Sequence, residues 1–310
     1  MPIPESQFDI WKKTGADKGS KEASDKIERL LRLDRSPAEQ SDGTYEIRRQ
    51  GSYKNYTYTR GSSDVDIIAK LTSAWSKDLS ELSDDDKERY ETFHSPAEYG
   101  YDEFCEDIWN WLTKKFDRSV ISWSGKAIEI SNESGRLNVD VDLVPCIEHR
   151  RYTAYPAYGE DEFDSGMAFE PRYSREKIVN YPGLHYDNGC DMHSNYKETV
   201  RIFKNARDYY NDHFDSFWSI GAHSYGIECL TYNVPEEILK RSNRADRFHE
   251  TLEFLGDTEL GEFDQVSEME KLFGSSNTQW TVSEAETLID RLSEMWDDWY
   301  DKKKHAQLFN

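Results

Sequence analysis

Residues 44–71 constrain this chain more than any other stretch. A strand-like segment, Thr44 to Gln50, alternates at Tyr45 and Ile47 and runs into Gly51-Ser52. Eleven residues later a second strand-like segment, Val65 to Leu71, begins beside Asp64-Val65-Asp66. Side chains alternate along a strand, so Asp64 and Asp66 share a face. Two carboxylates so placed suit a divalent cation, and magnesium takes oxygen ligands, phosphate oxygens among them. Gly51 lets backbone approach a phosphate closely, and Ser52 can donate to its oxygens. Neither half is specific alone. Gly-Ser also occurs at Gly19, Gly61 and Gly274, and Asp-x-Asp in an acidic chain equally describes a solvated strand end.

A third carboxylate is available further on. Lys126 to Ile130 alternates, Asn132-Glu133-Ser134-Gly135 reads as a turn, and Leu137 to Val144 alternates again, which predicts a hairpin. Its second strand carries Asp140 and Asp142 on one face. A charged pair in an otherwise apolar strand is costly unless cations neutralise it. The bland alternative is an edge strand showing polar residues to water.

Composition narrows the partners. The 310 residues carry 61 acidic and 39 basic side chains, a net charge of −22. Binding a long nucleic acid needs clustered cations, and the clusters here (Arg48-Arg49, Arg150-Arg151, Lys302 to Lys304) are small. A small anionic ligand that carries its own metal ions fits better. Lysine is not scarce, which weighs against a salt-loving host. No apolar run reaches the roughly 18 residues of a membrane span, and Met1-Pro2-Ile3-Pro4-Glu5 lacks a signal-peptide pattern. Cys105, Cys146, Cys190 and Cys229 are scattered without a CxxC pair, as expected of free thiols in a reducing cytoplasm.

The rest of the chain orders itself around these motifs. Residues 1–40 read mainly as helix, with Ile27, Leu30, Leu31 and Leu33 as an apolar stripe. Phe104, Ile108, Trp111, Leu112 and Phe116 have helical spacing. Arg150 to Tyr186 reads as an irregular, aromatic-rich lid or connecting loop. From Asn195 the pattern is helical, and Lys197, Arg201 and Lys204, at i, i+4 and i+7, form one basic stripe. Pro235 suits a helix start, Ser283 to Glu286 reads as a capping box, and Leu288, Ile289, Leu292, Met295, Trp296 and Trp299 form an amphipathic face.

A Gly-Ser turn between two strands, the second opening on Asp-x-Asp, is similar to the polymerase-β-like nucleotidyltransferases. More specifically, QGSYKNYTYTRGSSDVDIIAKL (50–71) and VDVDLVPCIEHRRY (139–152) resemble the cGAS/DncV-like nucleotidyltransferases, or CD-NTases. So, in the same order, do IVNYPGLHYDNG (178–189), VRIFKNAR (200–207) and SYGIECLTYNVP (224–235). The flavour is that of the E clade of bacterial anti-phage CBASS systems. The resemblance implies an α+β fold: a nucleotidyltransferase core with an N-terminal helix over residues 1–165, and a mostly helical C-terminal lobe over 166–310 closing a central nucleotide cleft.

By the same resemblance, Gln50, Gly51 and Ser52 match the phosphate-cradling turn. Asp64, Asp66 and a third aspartate match the metal triad, and the frame Asp142-Leu143-Val144-Pro145 favours Asp142 over Asp140. Lys204 and Ser224 match contacts to the donor triphosphate, and Tyr225 matches a base-stacking aromatic. The implied activity is template-independent synthesis of a cyclic di- or oligonucleotide from nucleoside triphosphates with two Mg²⁺, for which Mn²⁺ could substitute. A separate effector reads the product, and regulatory partner proteins are a further expected class. The rivals are a nucleotidyltransferase acting on RNA ends or protein, and a non-catalytic nucleotide sensor. One departure stands out: Cys190-Asp191 replaces the Lys-Asn pair common in relatives. His185, Cys190 and His193 are three potential zinc ligands without a clear fourth, which Cys146 or His149 would have to supply. Structural zinc takes four, so loop residues are the simpler reading.

Overall fold

The computed structural model of the protein describes residues 3–15, 17–34, 36, 38, 44–60, 64–214 and 219–299. Its elements begin with α1 (Glu5–Trp11), α2 (Lys18–Leu31), β1 (Tyr45–Arg49), α3 (Gly51–Asn55), β2 (Asp64–Asp78), α4 (Asp84–Phe93) and α5 (Tyr101–Leu112). Strands follow: β3 (Ile121–Ser122), β4 (Ile128–Ile130), β5 (Asp140–Ala154), β6 (Glu162–Phe169) and β7 (Ile178–Asn180). The remainder is helical: α6 (Pro182–Asp191), α7 (Tyr196–His213), α8 (Ser224–Tyr232), α9 (Glu236–Leu239), α10 (Arg244–Asp257) and α11 (Val282–Asp297). Two compact units result. The sheet unit is Ala16–Tyr53 with Ser63–Gly183; the helical unit is Met1–Gly15, Lys54–Ser62 and Leu184–Asn310. The units are therefore not divided at residue 165. The first helix and a short excursion before Asp64 belong with the helices, and residues 166–183 belong with the sheet.

The sheet is built on β2 and β5, fifteen residues each, which run parallel side by side. The strand order is β1-β2-β5-β4-β3, with β6 also on β5 and β7 on β6. Val65, Ile67, Ile68, Ala69 and Leu71 of β2 and Val141, Leu143 and Cys146 of β5 are all buried, so apolar residues from both faces of these strands are covered. The expected hairpin is present, with Ile128 to Ile130 pairing antiparallel to Val141 to Leu143. On α2 the buried stripe is Ser20, Ala23, Ser24, Ile27 and Leu31; Leu33 lies beyond the helix end and is exposed. Small residues let α2 sit close, a packing signal that an apolar periodicity does not register.

Residues 150–186 are not an irregular lid. β5 continues to Ala154, β6 pairs with it antiparallel, and β7 pairs with β6. Alternation is weak there because charge and ring contacts hold the strands. Arg151 pairs with Asp164 and Glu81, and Arg150 lies 4.0 Å from the centre of the Trp75 ring and 4.7 Å from that of Phe163.

The helical unit gathers around one apolar core. Phe8 and Trp11 of α1 meet Phe248 of α10 and Trp299, with ring centres 5.3 and 5.8 Å apart. The cap of α11 is Thr281, whose hydroxyl accepts from the Glu284 amide and donates to its carboxylate. The helix cap thus lies at Thr281, two residues before the expected Ser283. Gly61, Ser62 and Ser63, and Lys302 to Lys304, lie outside the described residues.

Gly226, in the first turn of α8, admits the Trp280 ring so closely that a Cβ would lie 2.6 Å from it. Gly226→Ala should cost about 1–3 kcal/mol in a urea melt. Gly183→Ala, where a Cβ would meet nothing within 4 Å, should be neutral or slightly stabilising.

Candidate active site

Parallel pairing of β2 with β5 sets Asp64 level with Asp140 and Asp66 level with Asp142. On the other side of β5, antiparallel pairing sets Glu129 of β4 level with Asp142. Residues level on neighbouring strands point to the same face, about 4.8 Å apart along the ladder. Five carboxylates therefore share one face over three adjacent strands. Asp140 accepts from the Asn132 amide at 2.6 Å, which ties it to the hairpin turn. Asp142 faces carboxylates on both neighbouring strands. Burial first, then the charges of Asp64, Glu129 and Asp140, push its carboxyl up to about 6. Glu129 escaped the sequence reading, although the alternation of Ile128 and Ile130 already put it on the face opposite the core.

The Gly-Ser turn is fitted against this face. Gly51 has φ +62°, and a Cβ on it would lie 2.2 Å from Asp66 Oδ2. The Gln50 amide donates to the Asp66 carbonyl at 2.9 Å. Gly51 is thus required twice, by its left-handed backbone and by the approach of the Asp66 carboxylate. Gln50, Gly51, Ser52 and the aspartates all lie in the sheet unit; Lys204, Ser224 and Tyr225 lie in the helical unit.

In the helical unit, the basic stripe of α7 is real, and each of its three cations is engaged by neighbouring groups. Lys197 lies over the rings of Tyr56 and Tyr186, and Arg201 donates to the Tyr56 carbonyl at 2.6 Å. Lys204 is buried, donating to Glu228 Oε1 at 2.5 Å and to the carbonyl and hydroxyl of Thr57. Lys204, expected at the donor phosphates, here has its ammonium engaged inward on Glu228 and Thr57. Glu228 accepts in addition from Asn55, from the Thr57 hydroxyl at 2.6 Å and from His185 at 3.0 Å. Burial alone would raise the Glu228 pKa. The Lys204 charge and the bonds from His185 and Lys204 outweigh it and hold the carboxyl well below its usual range.

Ser224 opens α8, whose cap is the His223 ring accepting from the Gly226 amide. Tyr225 is partly exposed. Its hydroxyl donates to Gln265 and its ring lies 5.5 Å from that of His185. The three potential zinc ligands are engaged separately: His185 with Glu228, Cys190 with Lys197, and His193 with the Asn195 amide.

A family model for the cGAS/DncV-like nucleotidyltransferase C-terminal helical domain matches residues 188–297. The chain is 31% identical over 306 residues to the cyclic nucleotide synthase CdnE01 of Staphylococcus haemolyticus, covering 96% of this chain and 100% of that one. The chain belongs to the cGAS/DncV-like nucleotidyltransferases. It is also 31% identical to the cyclic UMP-AMP synthase of Rhodothermus marinus, over 96% of this chain and 99% of that one. The structure of the R. marinus CdnE c-UMP-AMP synthase with Apcpp and Upnpp superposes with a TM-score of 0.82 at 30% identity, covering 96% and 98% of the two chains. The CdnE cyclic dinucleotide synthase of Elizabethkingia meningoseptica, 22% identical with a TM-score of 0.70, shares the fold. No helix among the described residues is long and apolar enough to cross a membrane.

The donors on the carboxylate face suit the magnesium that a nucleotidyltransferase of this fold implies. They are all oxygen, and the raised Asp142 carboxyl marks negative charge that a cation would relieve. Among the described residues no three His, Cys, Asp or Glu side chains converge closely enough to hold an ion by themselves.

Two stability predictions follow from these charges. A carboxyl whose pKa rises on folding weakens the fold once ionised. For Asp142 the penalty is absent below the ordinary value of 3.8 and complete above about 6. Asp142→Asn should therefore stabilise the metal-free protein near pH 7.5 by about 1 kcal/mol after allowance for solvent screening, and by nothing near pH 4. Melts in chelator at the two pH values check this, and a loss at the higher pH would contradict it. Lys204→Ala should destabilise by about 3–5 kcal/mol, because Glu228 is left buried without its cation; denaturant titration measures it.

Proposed function

We propose that this nucleotidyltransferase is a cyclic nucleotide synthase that joins nucleoside triphosphates without a template. What carries the reading is the pairing of β2 with β5. It sets Asp64 and Asp66 level with Asp140 and Asp142, against a glycine turn that no other residue could form. The chain's full-length likeness to enzymes named as cyclic nucleotide synthases supports the same reading.

Asp64, Asp66 and Asp142 would hold two Mg²⁺, with Mn²⁺ able to substitute. Asp142 is preferred to Asp140 because Asp140 is already committed to the Asn132 amide. When bound, the ions supply Lewis-acid stabilisation of the attacking and departing oxygens. Gly51 and Ser52 would seat the triphosphate of the donor, Ser224 would bind the same group, and Tyr225 would stack on a base. A ribose hydroxyl of one nucleotide attacks the α-phosphorus of the other, forming an ester and releasing pyrophosphate; a second such step closes the ring. In the cytoplasm, where nucleoside triphosphates are made, the product would act as a messenger read by a separate effector in anti-phage defence. Regulatory partner proteins belong to this proposal too.

Relatives of similar identity, matched over 96% of this chain in one case and 60% in the other, are named for different bases, a uridine–adenosine pair in the first and two purines in the second. Base choice therefore rests on side chains of the base pocket and not on the fold. Incubation with all four nucleoside triphosphates, then mass spectrometry of phosphatase-resistant products, should reveal a cyclic nucleotide. Label appearing on RNA or protein would instead support the other nucleotidyltransferase chemistries, which the charge of −22 disfavours for RNA. Replacing Asp64 and Asp66 together by Asn should abolish pyrophosphate release with the fold intact. Asp142→Asn should do the same, whereas Asp140→Asn should leave measurable activity. The reverse pattern across a Mg²⁺ titration would exchange the roles of these two residues.

A further inference from the structure

One heavily bonded, buried side chain of the helical unit is not used by the proposed chemistry. Glu228 is 4% exposed, and its carboxylate accepts from Asn55, Thr57, His185 and Lys204. Two of these donors, Asn55 and Thr57, come from the short excursion between the Gly51-Ser52 turn and Asp64. Asn55 is the last residue of α3, the five-residue helix that Gly51 begins.

Between them sits Tyr56, a non-glycine residue with φ +60°. A left-handed conformation at such a residue is unfavourable and persists only where the surroundings over-determine it. Here they do. Arg201 holds the Tyr56 carbonyl, and Glu228 holds the residues on either side. The Tyr56 ring is itself exposed, so burial of the ring does not fix this backbone. Lys204 completes the arrangement by donating to both Glu228 and the Thr57 carbonyl.

We propose that Glu228 is a positioning residue for nucleotidyl transfer: its buried carboxylate fixes the exit of the Gly51–Asn55 helix and, through it, the Gly51-Ser52 turn. The same carboxylate orients the His185 ring beside Tyr225, so one group steadies residues proposed for phosphate and for base. The inference rests on the functional reading above for its effect on rate. It does not rest on it for the effect on the turn.

The direct variant, Glu228→Gln, leaves Lys204 without its counter-charge and risks misfolding, so the test is placed at Thr57. Thr57→Val removes one bond to Glu228 and keeps the Lys204–Glu228 pair, while Thr57→Ser keeps the hydroxyl. Amide hydrogen exchange over residues 52–60 and steady-state kinetics are measured on the full-length chain with all three forms. Thr57→Val should speed exchange in that segment and lower kcat about tenfold. KM for the triphosphates should stay within about threefold, a split that distinguishes lost alignment from lost ground-state binding. Thr57→Ser should restore both readouts. Unchanged exchange in Thr57→Val overturns the proposal. So does faster exchange with kcat within about twofold of wild type, because the turn would then be held without consequence. A wild-type chain that makes no product from any triphosphate sinks the functional reading instead, and the exchange comparison still decides whether Glu228 holds the turn.

Discussion

Mutual repulsion among carboxylates is the constraint around which the sheet unit is arranged. Asp64, Asp66, Asp140, Asp142 and Glu129 share one face, and the raised Asp142 carboxyl reports the cost. Such a face is tolerable because the strands carrying it are secured elsewhere. Immediately beyond the aspartates, β2 continues as Ile67-Ile68-Ala69 and β5 as Leu143-Val144, all buried, with a parallel ladder joining them. Apolar burial at about 25 cal/mol per Å² outweighs a few partly solvated like charges. The charge is thereby kept together on one face of the sheet.

The helical unit answers the opposite problem, a buried anion, by supplying every partner from within. Glu228 is satisfied by a lysine, a histidine, a threonine and an asparagine drawn from three parts of the sequence. Removing one partner leaves a charged group without compensation, so the network behaves as a unit. Glu198, shared by Arg244 and Arg247, repeats the scheme on a smaller scale in the first turn of α7.

Much of the sheet was legible because it follows period-two alternation. β1, the start of β2 and the β4–β5 hairpin lie where Tyr45, Ile47, Val65, Ile128 and Val141 put them. The aspartates were legible for the same reason: alternation alone puts Asp64 with Asp66 and Asp140 with Asp142. What escaped was information carried between segments. Glu129 joins the acidic face only through strand register. β6 is held by Arg150 against aromatic rings and by Arg151 between carboxylates, contacts that leave no periodic trace. The stripe Lys197-Arg201-Lys204 was correctly placed on one side of α7. Its partners, Tyr56, Thr57 and Glu228, are about 150 and 24 residues distant in sequence, so no local pattern could show that the stripe is covered.

The make-up of the helical unit also sets the order in which it can assemble. Glu5 bonds to the amide of Ala245, 240 residues away, and Phe8 packs on Phe248. Residues 55–57 meet partners on α7 and α8 that lie 145 to 173 residues away. The core of this unit therefore waits until the last helices have been synthesised, while every strand of the sheet unit is complete by Asn180. Loop closure costs rise only logarithmically with such separations, but long-range contacts slow the search. During synthesis α1 emerges with Phe8 and Trp11 lacking their eventual neighbours. The nascent chain thus carries exposed aromatic surface for most of its translation.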